Sequence, residues 1–318
     1  MIFRKTIALT IGLLFLCAGL IAQNDFHVYN YTTKNGLPEN NLIKIFLAKD
    51  GFLWIAYSNG LLRFDGNNFR KINTSETPFP NVFINQTLSG EKYFMDASGY
   101  IIHFDNGIID TLRKGSDNAL NYLNIKGVLP DINTYLELTT PHVNKTVDKE
   151  WDLNPLTMFP LNTKEYIVRT NDGVAWFNGK QKIKELDLTQ FKQRKFFSSA
   201  DQIYFFHDNN RLSRLNLSTW QVEPCTLSGI LNTNNISIDK IIRLYWNSNN
   251  SDPCFQYDFS LYEIETDSLN PNHIITAEII SSLPQNTLIT SVIYRKAEQQ
   301  VLISTDIKGL FVYKKTVL

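Results

Sequence analysis

Charge of one sign is missing from this chain. Its 318 residues hold 31 Lys+Arg against 31 Asp+Glu, and a nucleic-acid binder needs a clear cationic excess to displace counterions from phosphate. Cysteine is scarce. The three present, Cys17, Cys225 and Cys254, exclude a disulfide-stapled small fold. No run of 18 or more apolar residues follows residue 22, so no later segment reads as a membrane-crossing helix. Helical spacing of apolar positions is rare after residue 24. No His-x-x-x-His, Cys-x-x-Cys, Gly-x-Ser-x-Gly, phosphate-loop or calcium-loop pattern occurs, so no metal, cofactor or nucleophile motif is expected. What is present is a chain 43% hydrophobic and 13% aromatic, too apolar to be disordered. Its length suits two ordinary domains or one large all-β domain.

The first residues read as an address. Arg4 and Lys5 precede a nearly continuous apolar run from Thr6 to Ile21, and Ala22-Gln23-Asn24 turns polar. This is the layout of a secretory signal peptide over 1–22, leaving 23–318 as one domain and a periplasmic or secreted location. The run of about 15 residues is short for a span of about 20, which makes a retained anchor the lesser reading. Leu16 before Cys17 is too large for lipoprotein processing. Removing Arg4 and Lys5 leaves 29 basic residues against 31 acidic ones. In an exported chain Cys225 and Cys254 could pair or remain two thiols.

The body is cut into short strands by Asn, Asp, Gly and Ser clusters. The clearest unit runs from Asn40 to Ile72. Strands are expected over Leu42–Ala48, Phe52–Tyr57, Leu61–Phe64 and Phe69–Ile72, separated by Lys49-Asp50-Gly51, Ser58-Asn59-Gly60 and Asp65-Gly66-Asn67-Asn68. Asn-Gly and Asp-Gly suit tight hairpins because both tolerate positive φ. The middle hairpin recurs, with turn markers at 60, 99, 173, 210 and 309. The spacings of 39, 74, 37 and 99 fit one, two, one and two repeats. The missing markers fall near 136, where the pattern is weak, and at Asp258-Phe259-Ser260. Four-stranded repeats of about 40 residues read as the blades of a β-propeller. The expectation is therefore an all-β, seven-bladed β-propeller of four-stranded antiparallel blades. Six blades or an open ring fit the same spacing less well. The last unit lacks residues for a fourth strand beyond Lys315, and Phe26–Thr32 has no unit of its own. Pairing the two would close the ring and remove an open sheet edge.

One segment carries a resemblance. Gly36-Leu37-Pro38-Glu39-Asn40-Asn41, then Asp50-Gly51-Phe52-Leu53-Trp54-Ile55-Ala56, then Asn59-Gly60-Leu61-Leu62-Arg63-Phe64-Asp65-Gly66 closely resembles the repeat of two-component regulator propeller proteins. Ala56 and Tyr57 stand where that repeat usually has Gly-Thr, and Gly309-Leu310 is a fair second copy of its Gly-Leu part. The resemblance implies the periplasmic sensor propeller of a two-component system, with many relatives thought to sense glycans. It implies further domains, a membrane helix and an output domain that this chain does not show, so a truncated sensor or a stand-alone relative is expected. The motif also has a direct physical reading. Gly36 permits positive φ, Pro38 stiffens the start of the next strand, and Leu37 can plug between blades. Leu53 and Trp54 alternate on one strand, so each packs on a different neighbour. Asp50 is expected to cap its own turn amides.

Catalytic candidates are thin. His27, His103, His142, His207 and His273 form no ligand spacing. Asp105 with Asp110, or Glu263 with Glu265, could serve as paired carboxylates if they faced one pocket. If a ligand binds, the central face is favoured. Candidate contacts there are Asn40, Asn41, Asn81, Arg194 and Lys195, with Tyr122, Phe196 and Phe197 nearby, because aromatic faces and amides suit sugar rings. The expected function is non-catalytic ligand sensing. A propeller glycoside hydrolase or lyase, or a non-functional fragment, is the alternative. Implied partners are a glycan or other small ligand, a second copy, or downstream sensor domains. Nucleic acid is not expected, nor a membrane once the leader is removed.

Overall fold

The computed structural model describes residues 26–72, 83–87, 89–95, 101–105, 108–113, 124–125, 157–162, 164–169, 173–179, 181–191, 195–199, 202–207, 211–230, 241–246 and 251–315. The expected leader and the weak unit near 136 lie outside these residues. Among the described residues the chain is built of strands, with one-turn 3₁₀ segments such as Thr33–Asn35.

β1 (Phe26–Tyr31) comes first. The first unit follows as β2 (Leu42–Leu47), β3 (Leu53–Tyr57), β4 (Gly60–Phe64) and β5 (Phe69–Ile72). The second is β6 (Phe83–Gln86), β7 (Lys92–Met95), β8 (Ile101–Asp105) and β9 (Ile108–Arg113). A short β10 (Asn124–Ile125) runs parallel to β11 (Thr157–Pro160), which opens a unit with β12 (Glu165–Arg169), β13 (Gly173–Asn178) and β14 (Gln181–Asp187). Next come β15 (Lys195–Ser199), β16 (Gln202–Phe206), β17 (Leu212–Asn216) and β18 (Gln221–Gly229). β19 (Ile241–Tyr245), β20 (Cys254–Tyr257), β21 (Ser260–Thr266) and β22 (His273–Ile280) form another unit. β23 (Ile289–Arg295), β24 (Gln300–Thr305) and β25 (Leu310–Lys315) end the described chain. Six four-stranded meanders thus stand among the described residues, if β1 is counted with the last. A seventh would fall between β9 and β11, where only β10 is described.

β1 completes the last unit. It pairs antiparallel with β25 from Phe26↔Lys315 to Tyr31↔Leu310, with no register shift. The loop to β2 then wedges into the seam. Gly36 has φ +99°, and Leu37 is buried with Leu310, Ile293 and Leu302 of the last unit and Leu42, Leu53 and Leu62 of the first. Gly309 donates its N–H to the Asn40 carbonyl at 3.1 Å. Its φ is +78°, and a Cβ there would lie 2.1 Å from the Tyr31 carbonyl oxygen, so only glycine fits.

Core packing runs from unit to unit, as sheets stacked through both faces require. Leu53 faces the last unit. Trp54 faces the second, against Ile84, Phe94 and Ile102, with ring centroids 5.2 Å from Phe94 and 4.8 Å from Phe104. The turn between β2 and β3 is capped as its sequence demands, with the Phe52 N–H donating to Asp50 Oδ1 at 3.2 Å. Asp50 also reaches the second unit through Lys92 at 2.8 Å.

One junction departs from the repeat. β18 pairs with β17 over Gln221–Cys225, then crosses to run parallel to β22 over Thr226–Gly229. Two units thereby share one eight-stranded sheet. The crossing ends at Gly229, φ +79°, where a Cβ would sit 1.8 Å from the Thr276 carbonyl oxygen. His273 fastens it, with Nδ1 2.8 Å from Thr226 Oγ1 and Nε2 3.2 Å from Ser228 Oγ.

Candidate recognition face

In an antiparallel meander, the start of the first strand, the second hairpin and the end of the fourth strand share one end of the sheet. The loop before β2, the loop before β23 and the β3–β4, β20–β21 and β24–β25 turns therefore form one face of the assembly. We call it the leading face.

The described loops of that face are laced together. The Leu283 N–H donates to the Phe259 carbonyl at 2.8 Å, tying the loop before β23 to the β20–β21 turn. Asp306 Oδ1 accepts the Leu288 N–H at 2.8 Å and the Thr287 hydroxyl at 2.7 Å. The Asp306 N–H donates back to the Leu288 carbonyl at 3.1 Å. These donors hold the Asp306 carboxyl below its ordinary range, the Thr287 hydroxyl foremost. Lys308 Nζ donates to the Gln285 carbonyl at 2.6 Å. From this lattice Phe259, Leu288 and Ile307 project, each more than half exposed. Bulky apolar residues at such tips, where Asn, Asp, Gly and Ser normally stand, are the signal that sequence reading passed over.

The sequence candidates divide. Asn40 is partly committed to its own loop, since Oδ1 accepts the Thr33 N–H at 2.9 Å. Asn41 beside it is exposed. Asn59 Nδ2 donates to Glu39 Oε1 across the β3–β4 turn. Lys195 begins β15 and pairs with Phe206 through the backbone. Phe197 is corrected: it is fully buried and stacked on Tyr204 at 5.0 Å. It is core because β15 is covered on both faces. Phe196 is buried as well. Asn81, Tyr122 and Arg194 lie outside the described residues. Arg169 was missed. It ends β12 at the leading face and lays its guanidinium 4.6 Å over the Phe196 ring. Burial lowers its pKa, and no carboxylate among the described residues pairs with it.

The other chemistry-bearing groups are occupied elsewhere. Glu263 and Glu265 share one ammonium, Lys296 Nζ, at 3.3 and 2.6 Å. Lys296 follows β23, so this pair sits at the end opposite the leading face. The Tyr294 hydroxyl donates to Glu263 Oε2 at 2.7 Å, and burial raises its pKa. Asp110 lies across from His103 in the β8–β9 ladder, whose ring stacks on Tyr93 at 4.8 Å. His207 bonds Ser213 at 2.7 Å with both buried, closed off from a substrate. His142 lies outside the described residues. Cys225 and Cys254 are unpaired. Burial pushes Cys225 up to about 12 and Cys254 upward as well, so neither is a ready thiolate nucleophile. No group of three or more metal-ligating side chains occurs among the described residues. No helix among them is long and apolar enough to cross a membrane.

No protein-family profile matches the chain, and no curated protein matches it by sequence. Solved structures do resemble it. A streptogramin B lyase is 13% identical with a TM-score of 0.59, the match covering 92% of this chain and 98% of that one. The extracellular domain of a one-component system from B. thetaiotaomicron is 12% identical with a TM-score of 0.56, over 93% of this chain. This chain spans 44% of that one. YCF48 bound to a D1 peptide is 10% identical with a TM-score of 0.53, over 94% of this chain and 97% of that one. The fold is that of β-propeller proteins, and the extracellular domain of a one-component system is among the structures it resembles, in keeping with the resemblance carried by Gly36 to Gly66.

Proposed function

We propose that this chain is the exported, ligand-reading propeller of a bacterial signalling system. It takes a glycan or another small extracellular ligand at its leading face and has no catalytic activity of its own. The observation that carries this reading is the set of exposed apolar side chains, Phe259, Leu288 and Ile307, on loops already fixed by mutual hydrogen bonds. A prearranged surface of this kind spares the ordering cost of binding. Apolar side chains cover the C–H faces of sugars, while Arg169 and Asn41 offer donors for their edges. The sensor-like motif and the likeness to an extracellular signalling domain support the signalling part.

The competing reading is a propeller lyase or glycosidase. It calls for ionisable groups open to the ring, whereas Glu263 and Glu265 hold Lys296 at the far end and His207 is buried against Ser213. Calorimetry and thermal shift against a panel of glycans test the proposal. One class should bind, and Phe259→Ala with Ile307→Ala should abolish binding while leaving the unfolding midpoint in place. Binding by no class, binding untouched by both changes, or turnover of a panel member would overturn it.

A further inference from the structure

The outer strands are not alike. β5 carries Arg70 and Lys71, β9 carries Asp110 and Arg113, and β14 carries Lys182, Lys184, Glu185 and Asp187. Charges of this kind keep exposed sheet edges from pairing with other chains. β18 and β22 cover part of each other's edges. β1 reads Phe26-His27-Val28-Tyr29-Asn30-Tyr31, with no Lys, Arg, Asp, Glu or Pro. Its inner edge is paired to β25 at all six positions without a bulge, and its outer edge meets no other strand among the described residues. Val28 and Tyr29 fall on opposite faces of the sheet and are 50% and 58% exposed.

We infer that β1 is a homodimer edge, pairing antiparallel with β1 of a second copy. A two-fold axis requires an antiparallel, self-matching strand, and this strand matches itself. With the axis at Tyr29, the two Tyr29 side chains lie opposite each other on one face, each Val28 opposite the other copy's Asn30 on the other face, and each His27 opposite a Tyr31. An aromatic–aromatic cross-strand pair is favourable, and no like charges meet. With the leader removed, 29 basic against 31 acidic residues leave little long-range repulsion between copies. The product is an eight-stranded sheet shared by two rings. A six-residue ladder falls below the ~1,200 Å² of a stable interface, so the dimer is weak and concentration-dependent.

Sedimentation velocity of the purified chain up to about 1 mM, a range matched to weak association, tests this. The weight-average mass should rise toward twice that of the monomer, and Val28→Lys with Tyr29→Lys should return it to monomer without moving the unfolding midpoint, since both side chains are exposed. Amide exchange is the second readout, with β1 amides gaining protection with concentration in the parent and not in the variant. A monomer at every concentration, a dimer untouched by the two lysines, or protection appearing at another strand edge would each overturn the inference.

Discussion

Two seams of this molecule join neighbouring units in opposite ways. At the closing seam every strand stays within its own sheet. The last and first units are held by a side-chain plug, Leu37, and by one backbone hydrogen bond from Gly309 to Asn40. At the β18–β22 seam the backbone itself changes sheets halfway along a strand, and four residue pairs of ladder replace the plug. Both seams end at a glycine of positive φ pressed on a carbonyl oxygen, Gly309 on Tyr31 and Gly229 on Thr276. The common element is close backbone approach. What differs is whether interlocking side chains or a shared ladder supply the cohesion.

That contrast can be broken experimentally. Gly309→Val adds left-handed strain and a clash with the Tyr31 carbonyl, and should cost about 3–4 kcal/mol by urea unfolding. A loss under about 1 kcal/mol would mean that the closing seam is looser than its geometry. Leu37→Ala leaves a cavity between the first and last units and should cost about 2–4 kcal/mol. Gly229→Ala should cost about 2 kcal/mol. Its effect should be local, with faster amide exchange in Ile274 to Thr276 and unchanged exchange in β1.

Glu223 provides a pH handle beside the second seam. Its carboxylate accepts from Asn216 at 2.5 Å, Arg214 at 2.5 Å and Asn272 at 3.0 Å, and Asn272 belongs to the turn leading into β22. These bonds, Asn216 first, lower its pKa from 4.5 to about 2. A depressed carboxylate stabilises the fold above the unfolded value. Its contribution is full above about pH 4.5 and fades toward pH 2. Glu223→Gln should therefore cost about 1–2 kcal/mol at neutral pH, and the gap from the parent should close across that window. The smallest effect expected is Lys296→Met. It breaks the ion pairs of a half-exposed ammonium with Glu263 and Glu265, together worth about 1 kcal/mol or less and screened by salt.

The closing seam was legible because its requirements are local. Gly36 needs positive φ, Asp50 caps its own turn, and adjacent Leu53 and Trp54 must face different neighbours, all within a few residues. The latch could be read from arithmetic, since a strand without a unit met a unit without a strand. Strand limits came within about two residues at most ends, the usual reach of boundary assignment. The β18–β22 crossing was not legible. Thr226 and His273 are 47 residues apart, and a parallel pairing between separate hairpins leaves no turn signature. The candidate contacts fared least well. Phe197 follows Arg194 and Lys195 in the sequence and so resembles a ligand platform, but β15 is covered on both faces and buries Phe196 and Phe197 alike. Phe259 and Ile307 sat inside turns recognised only as punctuation, and Arg169 shows its place only through Phe196 of the next unit.

The pairing of Phe26 with Lys315 has a mechanical consequence. A pull applied at these two positions in opposite directions acts at one end of the β1–β25 ladder, so the bonds open one after another instead of sharing the load. The ring has a zipper at this point, and tension across it would peel β1 away at low force while the remaining sheets stay closed.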